Sequence, residues 1–300
     1  MSKDRIIRCI TSDGAVMACA ADTTDIVYTG ARLHLTSAAA TAALGRLLTA
    51  AAIMGNQLKQ KDASITLRIK GDNSETGAVI AVSDSDGNVR GYVQNPDCPT
   101  EYYENGKINV AKAVGSTGIL NVMRDYGTGE PYVGQVELVS GEIAEDITSY
   151  YAVSEQIPTV CALGVLLDKE DHQVLLAGGL LIQLLPGADD STIDRIEKNV
   201  SELEPMTTML AKGMSIKEIC ETALRGFEVE VLDENPIRYA CSCSREKVIK
   251  AFVTLPDDEI RSLADEKGYA EAICHFCKKK HRFSKLQLEQ IIKQKHGEAE

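Results

Sequence analysis

Four of the nine cysteines fall into a pattern with a chemistry of its own. Cys241 and Cys243 are one residue apart, thirty residues follow, and Cys274 and Cys277 are two apart. Four thiolates complete the tetrahedral sphere of Zn²⁺, one ion per chain. A closed set leaves no position for a metal-bound water, so the expected role is structural rather than hydrolytic. Close pairing inside a ~60-residue unit argues against four independent buried thiols. His275 and His281 are alternative ligands in place of a thiolate, but four sulfurs already suffice. As lone residues both are expected at the surface beside Lys278–Lys280. Only Ser242 separates Cys241 from Cys243, so these two can also join as a disulfide once metal leaves. Zinc keeps the sulfurs deprotonated, and the thiolate is the form that oxidants attack.

The other cysteines do not group. Cys9, Cys19 and Cys161 lie in predicted strands and read as small buried hydrophobes. Cys220 lies on a predicted helix. Cys98, between Pro96 and Pro99, is a candidate for exposure and reactivity. No phosphate-binding loop, dinucleotide fingerprint or nucleophile elbow occurs, so no enzymatic activity and no nucleotide hydrolysis are expected. Met206, Met209 and Met214 fit either an adaptable binding face or helix packing. The run Lys278–Lys280 with Arg282 fits a nucleic-acid contact, but more often such a run is a solvated face.

Charge and the absence of a leader narrow the class. Residues 241–300 carry 12 basic and 10 acidic side chains, and residues 1–240 carry 20 and 34. An acidic body disfavours nucleic acid as a partner. No basic-then-apolar leader follows Met1, and the longest apolar stretch, Val174 to Leu185, is too short to span a bilayer as a helix. A cytoplasmic protein without a membrane partner is expected. In that compartment metal binding or thiol chemistry is favoured over a disulfide framework.

The elements that must position the cysteines read as an α+β fold. Two apolar runs flanking Asp13-Gly14 predict a hairpin over residues 5–20. An alanine-rich helix is expected over 37–54, capped by Ser37 and ended by Gly55. Strands are expected near 65–69, 79–82, 89–93 and 135–140, a helix over 142–155, and a hairpin over 159–167 and 173–185. After Pro186 the texture becomes acidic and helical, with 12 acidic and 5 basic residues from Asp189 to Glu234. Ser215 with Glu218 fits a capping box there, and Ser284 with Gln287 another near the C-terminus. The division is thus an α+β core domain over 1–186, an acidic helical connector over 187–236, and a small four-cysteine domain over 237–300.

With the cysteine spacing on such a frame, the chain resembles the redox-regulated bacterial chaperones called heat shock protein 33. The stretches ALGRLLTAAAIMG (43–55), GQVELVSGEIAEDITSYYAVSEQIP (134–158), GGLLIQLLPGADD (178–190) and ICHFC (273–277) carry the likeness, which covers the full chain. The resemblance implies an ATP-independent holdase, inactive while reduced and zinc-bound. It implies that oxidation forms disulfides Cys241–Cys243 and Cys274–Cys277, releases zinc and unfolds the C-terminal region. Unfolding or oxidatively damaged proteins would be the partners, and dimerisation would accompany activation. Two other classes compete: a zinc-ribbon module for nucleic acid or protein with an oxidant-insensitive site, and a thiol oxidoreductase using Cys274 and Cys277.

Overall fold

The computed structural model describes residues 3–297. Met1, Ser2 and residues 298–300, the ends of the first and last expected domains, lie outside the described residues. The chain divides into two compact units, Met1–Ala240 and Cys241–Glu300.

In the first unit, strands β1 (Arg5–Thr11) and β2 (Val16–Asp22) form the expected hairpin. Gly14 takes a φ of 70°, and the Asp13 carboxylate accepts the Ala15 N–H at 3.0 Å. Helix α1 (Thr24–His34), absent from the sequence reading, leads into α2 (Ala38–Asn56). Ser37 caps α2 by accepting the Ala40 N–H at 3.4 Å. The helix runs on through Gly55, its expected end. A Cβ at Gly55 would lie 2.2 Å from Ser83 Oγ and 2.6 Å from the Asp84 carbonyl oxygen. This glycine therefore serves a close approach of helix to strand rather than a C-cap. Gly55→Ala is expected to lower stability by about 1–3 kcal/mol through overpacking. A lower urea midpoint at unchanged slope would show it.

Strands β3 (Ser64–Gly71), β4 (Val79–Asp84) and β5 (Val89–Val93) precede a short helix α3 (Val110–Val114), then β6 (Gly118–Asp125) and β7 (Tyr132–Glu137). They make an antiparallel sheet in the order β5-β4-β3-β6-β7. The helix expected over 142–155 is α4 (Ala144–Tyr150) continued by a π-helical turn, Tyr151–Glu155. Next come β8 (Thr159–Leu167) and β9 (Val174–Leu184). Three helices follow, α5 (Asp190–Ser201), α6 (Met206–Ala211) and α7 (Ile216–Ala223), then strand β10 (Val229–Pro236). The second antiparallel sheet runs β10-β1-β2-β9-β8. The acidic connector is thus helical only in part, and its last eight residues are strand. Arg5 and Arg8 of β1 pair with Glu234 and Asp233 of β10, which explains why so acidic a segment enters a sheet.

Alternation along β1 and β2 gives this sheet two apolar faces. Ile6, Cys19 and Ala21 face the main core, where α2 lies against residues of both sheets. By length and composition α2 could cross a membrane, but 94% of that window is buried within the fold. Ile7, Cys9, Ala18 and Ala20 face the other way, into a cluster with Ile196, Met206, Met209, Ile219 and Cys220 of α5–α7. The connector helices therefore have their docking surface inside the first unit, and the buried methionines there are packing. The Ser215–Glu218 capping box is present.

The second unit holds α8 (Arg245–Val253), α9 (Asp257–Ser262), the hairpin β11 (Tyr269–Ile273) and β12 (Lys280–Ser284), and α10 (Lys285–Lys295). Its core among the described residues is six buried apolar side chains: Ile260, Ala270, Phe283, Leu288, Ile291 and Ile292. That is little for a unit of this size, since small domains bury too small a share of their surface to be stable without a staple.

Candidate metal centre

One cysteine pair opens the second unit's chain and the other lies thirty residues further on, near its middle. Cys241 and Cys243 sit just before α8, whose N-cap Ser244 accepts the Lys247 N–H at 3.3 Å. Lys247 Nζ also donates to Ser242 Oγ at 3.0 Å, fixing the residue between the two sulfurs. Cys274 and Cys277 lie in the turn between β11 and β12. There the Lys278 N–H donates to the Cys274 carbonyl at 2.9 Å, and the Cys274 N–H to the Lys279 carbonyl at 3.0 Å. Lys278 takes a φ of 58° to close this knuckle.

All four sulfurs lie within 4.8 Å of one another. Cys241 Sγ is 3.7 Å from Cys274 Sγ, and Cys243 Sγ is 3.4 Å from Cys277 Sγ. Bonds of about 2.3 Å from a tetrahedral Zn²⁺ would set its sulfurs about 3.8 Å apart, whereas a disulfide brings them to about 2.05 Å. The four are free thiols at nearly the spacing of a metal tetrahedron. These two close contacts join one half of the motif to the other, so a cation here would tie together chain segments thirty residues apart.

The electrostatics fit the same conclusion. Burial pushes the Cys241 thiol up and the Cys243 thiol to about 12. At Cys274 burial also disfavours the thiolate, but hydrogen bonds from the Cys277 and Phe276 amides and from the neighbouring thiols prevail and hold it below the usual range. Four adjacent thiolates need a cation to coexist, and a divalent ion supplies that charge.

One supporting residue escaped the sequence reading. Arg245 donates to the Arg282 carbonyl at 2.6 Å and to Gln287 Oε1 at 2.9 Å, and its guanidinium lies 3.9 Å from the Phe283 ring centroid. It thereby fastens the Cys243 side to the hairpin carrying Cys274. Arg245→Ala is expected to weaken metal retention by about tenfold, the order found for groups that orient ligands from outside the sphere. Competition with a coloured chelator would measure it.

Neither His275 nor His281 is among the grouped donors. His281 is buried, contrary to the surface position expected for it, and its Nε2 has no hydrogen-bond partner. It shares a face of β12 with fully buried Phe283, two residues on, a period-two signal visible in the sequence. Lys280 and Arg282 pair with Glu271 at 3.0 and 2.8 Å on an exposed hairpin. Cys98 is buried, not exposed, with its sulfur 3.5 Å from Ser37 Oγ at the start of α2. Cys9, Cys19 and Cys161 lie in strands as expected, and Cys220 lies on α7.

Comparison with known proteins places this geometry. Residues 4–284 match the family model described as Hsp33 protein. A protein of Acetivibrio thermocellus named 33 kDa chaperonin is 47% identical over 291 residues, 97% of each chain. One of the same name from Clostridioides difficile is 45% identical, over 97% of this chain and 99% of its own. The crystal structure of a 33 kDa chaperonin, a heat shock protein 33 homologue from Thermotoga maritima, superposes with a TM-score of 0.89 at 34% identity. That match covers 99% of this chain and 100% of the other.

Proposed function

The chain belongs to the Hsp33 family of chaperones, and from that premise we propose that it is a redox-regulated, ATP-independent holdase of the cytoplasm. In its reduced form Cys241, Cys243, Cys274 and Cys277 hold one Zn²⁺. Bound zinc would keep the four sulfurs deprotonated and close the second unit. The observation that carries this reading is the four-sulfur cluster joining two distant halves of a unit with a small core.

The pairing implied by the family resemblance is Cys241–Cys243 and Cys274–Cys277. Each pair gives two electrons to one peroxide, whose O–O bond breaks and whose oxygens leave as water. Both new bonds lie within a half of the motif. Oxidation therefore replaces a link between the halves with two links inside them, and the second unit loses its closure. Opening of that unit and of α5–α7 with β10 would bare apolar residues such as Ile196 and Met209 among abundant acidic charge. Such a surface can hold an unfolding client while keeping the complex soluble. The oxidised chain is proposed to dimerise.

The test measures bound zinc, free thiols and light scattering from a heat-unfolding client enzyme, before and after peroxide at mild heat. Zinc loss and suppressed scattering should rise together, and ATP should change neither. Equal suppression by the reduced, zinc-loaded chain would overturn the redox switch and favour a fixed zinc-ribbon binding module.

A further inference from the structure

Between β10 and the first metal-centre cysteine, residues 237–240 form a strap that runs parallel to the start of β5. The Val89 N–H donates to the Arg238 carbonyl at 3.0 Å, and the Ala240 N–H donates to the Val89 carbonyl at 2.7 Å. Two residues further along β5 a side chain takes over. The Tyr239 hydroxyl donates to the Gly91 carbonyl at 2.8 Å and accepts the Gly91 N–H at 3.3 Å. One hydroxyl thus satisfies both backbone groups of Gly91. His34 Nε2 lies 3.5 Å from the same oxygen. The tyrosine ring rests on α1 at Gly30, where a Cβ would come 3.6 Å from Tyr239 Cε2. Ile237 is 2% exposed and fills a second recess, where a Cβ at Gly87 would come 3.1 Å from Ile237 Cγ2. Arg238, between the two, is exposed. The strap is therefore held at alternate positions, as an extended peptide is held when pockets take every second side chain.

We propose that residues 237–240 are a built-in stand-in for a client. The slot they fill captures an extended segment of non-native polypeptide carrying an apolar residue and, two positions on, a tyrosine.

The walls and the occupant support this separately. The walls belong to α1, β5 and the turn before β5, elements that need no strap to form. Departure of the strap would strip partners from the backbone of Val89 and Gly91 and open the Ile237 recess to water. A segment that restores both the hydrogen bonds and the apolar contact is then favoured. Phenylalanine would fill the ring space but leave both backbone groups of Gly91 without the hydroxyl, so the slot selects tyrosine. The strap ends one residue before Cys241, so opening of the metal centre frees the chain at its far end. That release rests on the reading proposed above, whereas the preference of the slot does not.

The probe is a fluorescein-labelled peptide with the sequence of residues 235–240, NPIRYA, amidated at its C-terminus. Fluorescence anisotropy with the full-length oxidised, zinc-free chain should show saturable binding. Binding to the reduced, zinc-loaded chain should be at least tenfold weaker, because the strap competes. Phenylalanine in place of the peptide's tyrosine should weaken binding about tenfold. A diazirine side chain at the isoleucine position should cross-link beside Gly87. A reduced, zinc-loaded chain carrying Ile237→Ser and Tyr239→Ala vacates the slot without oxidation and should bind the probe as the oxidised chain does. No saturable binding to either chain, equal binding of the phenylalanine peptide, or cross-links scattered away from Gly87 would overturn the proposal. Binding to the variant alone, with the Ala240 amide of the oxidised chain still protected from exchange, would uphold the slot. The same result would overturn release of the strap by oxidation.

Discussion

Stripping the metal from the reduced chain is expected to unfold Cys241–Glu300 and leave Met1–Ala240 folded. Among the described residues the second unit buries six apolar side chains, and the five larger than alanine contribute about 1.5–3 kcal/mol each before the entropy of ordering the chain is subtracted. A structural zinc contributes about 10–16 kcal/mol of apparent binding free energy, more than the ~5–15 kcal/mol net stability of many whole domains. The capping box at Ser284 and the Arg245 contacts are too small to replace it. A strong chelator should therefore collapse the amide NMR dispersion of the second unit alone. Cys274→Ser should do the same without chelator. Full metal retention by that variant would instead assign the fourth ligand to His275 or His281.

A second large effect is expected on peroxide treatment. Hydrogen exchange should accelerate across Asp190–Pro236 and the second unit while α2 and the β5-β4-β3-β6-β7 sheet stay protected. The structure sharpens this expectation, because the connector helices bury Ile196, Met206, Met209, Ile219 and Cys220 against the sheet. Their release would cost free energy, so under the proposed mechanism the docking contacts would set the oxidant threshold. Ile219→Ala, which removes a fully buried side chain, should weaken docking by about 2–5 kcal/mol. The connector of this variant should open at lower peroxide and milder heat. If the oxidised connector stays as protected as the reduced one while client binding rises, activation by unfolding is wrong, and a change of dimer interface becomes the better account.

The cysteine cluster was legible from spacing alone because metal ligation imposes type and proximity together. The Asp13-Gly14 hairpin and the alanine-rich helix were legible for the same kind of reason, since each is a local rule that needs no partner. Strand β6 was not, because Ile119 and Met123 put apolar residues on its exposed face and spoil the alternation. Strand β10 was hidden by its acidic residues, whose partners Arg5 and Arg8 lie at the other end of the first unit's chain. Burial of Cys98 depends on its seat against the start of α2, a tertiary fact. The prolines around it signalled only a loop.

In the folded chain β10 covers one side of β1 with seven paired positions, Arg5 to Thr11. Departure of β10 would bare a row of backbone N–H and C=O groups on β1, in register and already held extended by β2. An open strand edge accepts any extended peptide through main-chain hydrogen bonds, whatever its side chains. A non-native polypeptide with exposed β-prone segments is such a peptide. The opened chain would thus gain a sequence-blind template as well as an apolar surface. The same template would be a liability in the resting protein, and there β10 keeps it covered.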